Sequence, residues 1–161
     1  MTQSWMMVPH MWATQAANSR AAVLAATTLL MRNRVPLSPY YSDLLALADA
    51  LFKGSRSELA VVVAQMACEV VVEQTLTPRR RERKAPPNYN LRKKVTRQIY
   101  EQVTRDSIRT HPFWAAYGRH VDRRDKVVHH GHRVDPSEAR DSITTAHQFV
   151  EHVDTVRRNA R

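Results

Sequence analysis

Hydrophobic residues recur at intervals of three and four positions along most of the chain, the spacing that places them on one face of an α-helix. The segment 42–52 predicts a short amphipathic helix whose apolar positions are Leu44, Leu45, Leu47, Ala48 and Leu51. The segment 55–76 has a wider apolar stripe, which predicts the central helix of the fold. Ser55 and Glu58 have the spacing of a capping box at the start of this helix.

Three further helices are predicted downstream. Apolar residues at four-residue steps predict a helix over about 91–108. The next helix is expected to have Thr110 as its N-cap and to end at Gly131, because glycine suits a left-handed C-cap. Its inward face is expected to carry Phe113, Ala116, Tyr117, His120 and Val121. The last helix is predicted to begin at residues 135–138, where Asp, Pro, Ser and Glu form a second capping signature.

Short loops between long helices predict an all-α fold, an up-and-down bundle of four to five helices over residues 40–161. A chain of 161 residues is long enough for one domain with a substantial core. Residues 1–39 are interpreted as a separate N-terminal segment, in which an irregular arm (1–12) precedes an extra Ala-rich helix (14–32).

Cysteine content and hydropathy indicate the compartment. Cys68 is the single cysteine, so no disulfide can form within the chain, and its apolar neighbours favour a buried thiol. The apolar run 21–31 is too short to span a bilayer. No Lys or Arg precedes Arg20, so the charged start of a signal peptide is missing. We therefore expect a soluble, cytoplasmic protein without a membrane partner.

The charge of the chain points to a polyanionic partner. The formal net charge is +10, and 20 of the 25 cations are arginine. Nucleic acid is the simplest such partner, although a GC-rich genome also encodes its cations as arginine. We expect an RNA backbone to contact the basic run that begins at residue 79 and two cations further along: Arg79, Arg80, Arg81, Arg83, Lys84, Arg92, Lys93, Arg123 and Lys126. For the segment 79–88, a solvated loop without a function is the alternative.

Arg124 and His129 stand at the predicted end of the helix that Gly131 terminates. Arginine can neutralise a phosphate and histidine can transfer a proton near neutral pH, and these are the two tools needed to cleave RNA without a metal. Five positions turn about 140° around an ideal helix, so the two side chains do not share one face. We expect them to meet in a cleft, with His129 in a frayed last turn.

The residues around this pair carry a resemblance to a known family. Asp125 follows the arginine, a hydrophobic pair precedes His129, and Gly131 follows it. Trp114 stands upstream on the same predicted helix, and a Pro/Ser/Glu-capped final helix follows. The central helix carries the sequence Ala67-Cys68-Glu69-Val70. In these features the chain resembles the HEPN family of helical-bundle proteins, especially its phage-defence and toxin-like members, over roughly residues 40–156.

The resemblance implies a metal-independent endoribonuclease with a defence or toxin role. Arg124 would stabilise the phosphate, His129 would act as acid or base, and Asp125 and His130 would support them. Glu69, on the central helix, is expected to hold Arg124, with an ordinary buried or rim acid as the alternative. HEPN proteins usually dimerise across the motif helix, which implies a homodimer with a composite site. A regulatory protein or antitoxin is a further implied partner, and no cofactor is required.

Two departures from the family pattern affect this interpretation. Asp125 stands where Asn is common, and a carboxylate there would repel phosphate as well as orient its neighbours. Gly131 stands where one toxin subgroup has a Tyr that its antitoxin modifies, so that form of regulation is not expected.

Two other interpretations start from the same residues. The first is a non-catalytic basic helical module that binds RNA or a partner protein. The second is a zinc site built from the histidines near the helix end, namely His129, His130 and His132 with His147 or His152. No cysteine accompanies these histidines and their spacing matches no strong zinc template, so the sequence predicts no metal.

Overall fold

The computed structural model describes residues 39–77 and 88–159, and in these residues it contains five α-helices and one 3₁₀ turn without any strand. The predicted all-α class is confirmed. The helices are α1 (Tyr40–Lys53), α2 (Ser57–Leu76), α3 (Lys94–Thr104), α4 (Trp114–His130) and α5 (Pro136–Asn159), and the 3₁₀ turn (Ile108–Thr110) lies between α3 and α4. The predicted arm and Ala-rich helix, and the basic residues 79–84, lie outside the described residues.

Helix α2 is the central element, as its wide apolar stripe predicted, and it contacts each of the other four helices. Small side chains line its buried surface and let the neighbouring helices approach closely: Ala60, Ala64, Ala67 and Cys68 are all fully buried. Within the described part of the chain, α2 is the one helix that is long and apolar enough to cross a membrane. Because 56% of that apolar window is buried inside the bundle, it has the character of a core helix.

A buried carboxylate joins the first and last helices. Asp154 of α5 is 4% exposed and accepts a hydrogen bond of 2.6 Å from the Tyr41 hydroxyl of α1. Arg157 Nε donates to the same carboxylate at 3.0 Å, and Arg158 also pairs with it. The buried charge is therefore paired and hydrogen-bonded, which is the condition for burying a carboxylate at acceptable cost.

The start of α2 differs from the predicted capping box. Ser55 has a left-handed backbone (φ 59°), and its N–H donates to Phe52 O while Arg56 N–H donates to Leu51 O. These two bonds form a Schellman motif, so Ser55 closes α1 and does not cap α2. The Glu58 side chain instead accepts a bond of 3.3 Å from the backbone N–H of Val134, in the segment between α4 and α5.

The segment between α3 and α4 is also more irregular than predicted. Helix α3 ends at Thr104 because Arg105 adopts a left-handed conformation, φ 60° and ψ 20°. Thr110 is not the cap of α4; its hydroxyl donates to Ser107 O within the 3₁₀ turn. The later capping predictions are confirmed. Gly131 ends α4 with φ 60°, and Asp135 Oδ1 accepts bonds from the first-turn N–H groups of α5.

Candidate functional site

Arg124 is half-buried on α4 and is oriented by its neighbour. Its Nη1 donates to Asp125 Oδ1 at 2.9 Å, and 29% of its side chain is exposed. The sequence implied that Glu69 holds this arginine, but the carboxylate partner of Arg124 is Asp125. Glu69 accepts a bond of 2.9 Å from Gln65 Nε2 on its own helix. Asp125 thus fixes the guanidinium while leaving part of it open to solvent.

His129 lies on a different side of the helix from Arg124. Helix α4 stays α-helical through His130 before the Gly131 cap, so the expected frayed last turn is wrong. In a regular helix the two side chains diverge by about 140°, and Asp125 lies between them, about 40° from His129. His129 and His130 are both exposed. One chain therefore does not bring Arg124 and His129 into a common cleft.

Buried polar side chains fill the contact between α2 and α4. Gln65 of α2 and Tyr117 and His120 of α4 are almost fully buried. Gln65 Oε1, both ring nitrogens of His120 and the buried Nε of Arg124 lack a hydrogen-bond partner among the described residues, whereas the Tyr117 hydroxyl interacts with the Gln65 side chain. We call these four residues the polar seam. The seam is thus a cluster of buried polar groups on the same side of α4 as Arg124.

His120 is neutral within the polar seam. Burial lowers its pKa to about 4, and the positive charges of Arg123 and Arg124 act in the same direction. A neutral His120 adds no further positive charge beneath Arg124, although neither ring nitrogen has a partner in the described residues. The sequence placed His120 on the inward face of α4. Its position one helical turn before Arg124 is the signal that relates it to the site.

Arg92 packs on the side of α4 that carries His129. Gly118, Asp122, Asp125 and His129 follow one another at steps of four, three and four residues, and so line one side of the helix. Arg92 Nη2 lies 3.8 Å from Asp122 Oδ1. A Cβ at Gly118 would lie 2.1 Å from Arg92 Nη1, so the absence of a side chain there makes room for the guanidinium. Arg92 was a predicted RNA contact, and the fold places it beside the motif helix.

The other predicted RNA contacts are distributed differently. Arg123 is directed into the bundle: its Nη1 donates to Ser142 Oγ on α5 and its Nε lies 3.6 Å from Glu138. Only 14% of its side chain is exposed, so it offers little surface to an RNA backbone, and its role as an RNA contact stays a prediction. Lys126 and Lys93 are exposed, with Lys126 on the side of α4 opposite Arg124. Arg79, Arg80, Arg81, Arg83 and Lys84 lie outside the described residues.

A groove that the sequence did not reveal lies where α4 ends. It has a volume of about 1410 Å³ and lies between the end of α1, the start of α2 and the segment that joins α4 to α5. Its cationic and imidazole groups are Lys53, Arg56, His132 and Arg133. The acids Glu58, Asp135 and Glu138 share the same lining. Three separate segments form this groove, so no local pattern indicates it.

Comparison of the chain with protein-family models, with curated proteins and with solved structures finds no match.

The polar seam leads to an expectation about pH. A His120 pKa of about 4 in the folded state lies below the ordinary value of 6.5, so the unfolded chain binds the proton more readily. The contribution of neutral His120 to the free energy of unfolding is fully present above pH 6.5, and it is lost as the pH falls from 6.5 towards 4. Between pH 7.5 and 5 the loss is about 2 kcal/mol.

Urea unfolding of wild type and His120→Phe at the two pH values measures this term. We expect the wild type to lose about 2 kcal/mol more than the variant, because phenylalanine cannot take up the proton. His147→Gln, which changes an exposed histidine on α5, is the matched control and should follow the wild type. Equal pH dependence in wild type and His120→Phe would contradict a neutral, buried His120.

Proposed function

We propose that this protein is a metal-independent endoribonuclease whose active site is assembled from two copies of the chain. The observation that carries the proposal is the arrangement on α4. A half-buried Arg124 is fixed by Asp125, and an exposed His129 lies one and a half turns further along the same helix. The residue proposed to stabilise phosphate and the residue proposed to transfer protons thus lie on one rigid helix, although one chain does not bring them into one cleft.

The surroundings of these residues suit an RNA substrate. The chain has a net charge of +10, and Arg92 is held beside the His129 side of α4. The groove at the end of α4 adds Lys53, Arg56 and Arg133. Cations in such positions can follow a phosphate backbone and steer its approach. The acids Asp122 and Asp125 are paired with arginines, which limits their repulsion of phosphate.

Exposed hydrophobic residues support an association of two copies through α4. Val128, which lies about 40° around the helix from Arg124, is 47% exposed. On the adjacent α2, Leu59 is 52% and Met66 is 44% exposed. A two-fold contact at α4 would cover such residues and bring two copies of Arg124 and His129 to one cleft. Arg124 and His129 of one chain then need not face the same cleft, because each can act together with a residue of the other copy.

The proposed reaction is an internal transfer of the phosphodiester. His129 of one copy removes the proton from the ribose 2′-OH, and the 2′-oxygen attacks phosphorus. The bond from phosphorus to the 5′-oxygen breaks, and His129 of the second copy donates a proton to that oxygen. Arg124 stabilises the charge that develops on the non-bridging oxygens. The products are a 2′,3′-cyclic phosphate and a 5′-hydroxyl, and the two histidines exchange their protonation states.

A role in defence or as a toxin in the cytoplasm belongs to the same proposal, as does a regulatory partner. An unrestrained ribonuclease would damage the cell that makes it. The partner would need to cover the α4 surface or prevent the two copies from associating.

A non-catalytic RNA-binding or protein-binding module is the second candidate. It is favoured by the mixed-charge groove at the end of α4, which offers a binding surface that does not involve Arg124 or His129. Such a module would bind RNA in a salt-dependent manner without cleaving it.

Cleavage of RNA in the presence of EDTA distinguishes the two candidates. At 25 °C we expect the wild type to cleave, and His129→Ala to lose about 10²–10⁴-fold because a proton-transfer group is removed. Arg124→Ala should lose about 10²–10³-fold through weaker stabilisation of the transition state. Arg109→Ala, which removes an exposed cation in the 3₁₀ turn before α4, far from His129, should retain activity. Products are identified by their cyclic phosphate ends.

Either of two results would count against the enzyme. Equal cleavage by wild type and His129→Ala would show that the activity belongs to another site or a contaminant. Cleavage that requires an added metal would contradict the mechanism. Salt-sensitive binding without cleavage in all variants would favour the module.

The position of Arg92 leads to a separate expectation about binding. Arg92→Ala should weaken binding of a single-stranded RNA to the inactive His129→Ala protein. It should also reduce the slope of log K against log salt by about 0.7–1, the value for one lost phosphate contact. Arg109→Ala, which removes an exposed cation in the 3₁₀ turn before α4, is the control. If both substitutions reduce the slope equally, Arg92 has no particular place in the RNA path.

A further inference from the structure

Three side chains that commonly bind metals converge at the end of the bundle where α3 is joined to α4. Asp106 follows α3, His111 precedes α4, and His152 lies on α5. Asp106 Oδ1 is 3.2 Å from His111 Nε2, and its Oδ2 is 2.8 Å from His152 Nε2. One ligand atom from each residue lies within 4.8 Å of the other two. Residues distant in sequence thus direct their ligand atoms to one point.

These separations are close to those around a zinc ion. Zinc binds imidazole nitrogen and carboxylate oxygen at about 2.0–2.2 Å, which places tetrahedral ligand atoms roughly 3.4 Å apart. Both nitrogen–oxygen separations at Asp106 are shorter than this by well under an ångström. A small outward movement of the two imidazoles would admit the ion. The side chains of Asp106, His152 and His111 are 13%, 19% and 31% exposed, so solvent can supply a fourth ligand.

The surroundings of the three residues resemble the outer shell of a metal site. The Tyr100 hydroxyl donates to Asp106 Oδ2 at 2.9 Å, which fixes the orientation of the carboxylate. The Phe113 ring stacks on His111 with a centroid separation of 5.4 Å and lies at the same distance from His152. The left-handed backbone of Arg105 carries the chain directly into Asp106. Backbone strain of this kind is found where a functional side chain must be aimed.

We propose that Asp106, His111 and His152 bind one zinc ion, which fastens the segment between α3 and α4 to α5. Two imidazoles and one carboxylate suit zinc better than magnesium or calcium, which prefer oxygen ligands alone. The site differs from the zinc site considered from the sequence, because it uses neither His129, His130 nor His132. It lies near the opposite end of α4, about 22 Å along the helix axis from His129. It is therefore independent of the proposed cleavage site, and metal removal should not abolish cleavage.

Zinc binding to the full-length, chelator-treated protein tests the proposal. We expect calorimetry to show one zinc ion per chain for the wild type, and the midpoint of thermal unfolding to rise with zinc concentration. Asp106→Asn and His152→Gln should bind at least about tenfold more weakly and lose the thermal shift. His147→Gln, on the same helix but outside the cluster, should behave as the wild type. Cobalt(II), used as a coloured substitute, should give visible absorption that Asp106→Asn lacks.

The wild-type measurement decides the question even if a variant is unstable. Absence of saturable one-to-one zinc uptake by the wild type would overturn the proposal. It would also be overturned if folded Asp106→Asn bound zinc as tightly as the wild type, or if uptake were lost in a triple alanine variant of His129, His130 and His132. Retention of uptake in that triple variant supports the site at Asp106.

Discussion

The packing of α2 against its four neighbours is the interaction on which the rest of the structure depends. Its row of small, fully buried side chains allows α4 to approach closely, and this approach buries Tyr117 and His120 beneath α2. The way α4 packs against α2 sets how exposed each residue of α4 is to solvent. Residues facing α2 are dry, Arg124 lies at the boundary, and His129 is in solvent. Burial also keeps His120 neutral, with a pKa of about 4, so it adds no positive charge beside Arg123 and Arg124.

Local patterns predicted the helices well because each helix has its own apolar period and, in α4 and α5, its own terminal signal. Gly131 and Asp135 act within a few residues of their position, so the sequence alone contains what is needed to place them. The failures come from competition between signals. Ser55 has the spacing of an N-cap for α2, but its backbone takes part in the Schellman motif that ends α1. Arg105 broke the predicted helix without a glycine or proline, and no residue pattern in that segment indicates a left-handed arginine.

The candidate site could be predicted only in part. The motif residues Arg124 and His129 and the nearby carboxylate Asp125 were identified from adjacent positions. Whether the two side chains diverge around α4 depends on whether its last turn is helical, and the helix stays regular up to the Gly131 cap. Arg123 was assigned to RNA because it is a cation beside the motif, whereas its side chain bonds to Ser142 and approaches Glu138, which only the packing of α5 brings near. The cluster of Asp106 with two histidines joins residues up to 46 positions apart, a separation that no spacing rule covers.

The proposed catalysis needs His129 from two copies of the chain, and a subunit-mixing experiment tests this requirement most directly. Wild type is unfolded together with a ninefold excess of His129→Ala and refolded, so that only about a tenth of wild-type chains pair with one another in random dimers. With a composite site, cleavage per wild-type chain is expected to fall to about a tenth of its value without the variant. Cleavage per wild-type chain that stays unchanged by the excess variant would contradict it, because each chain would then contain a complete active site.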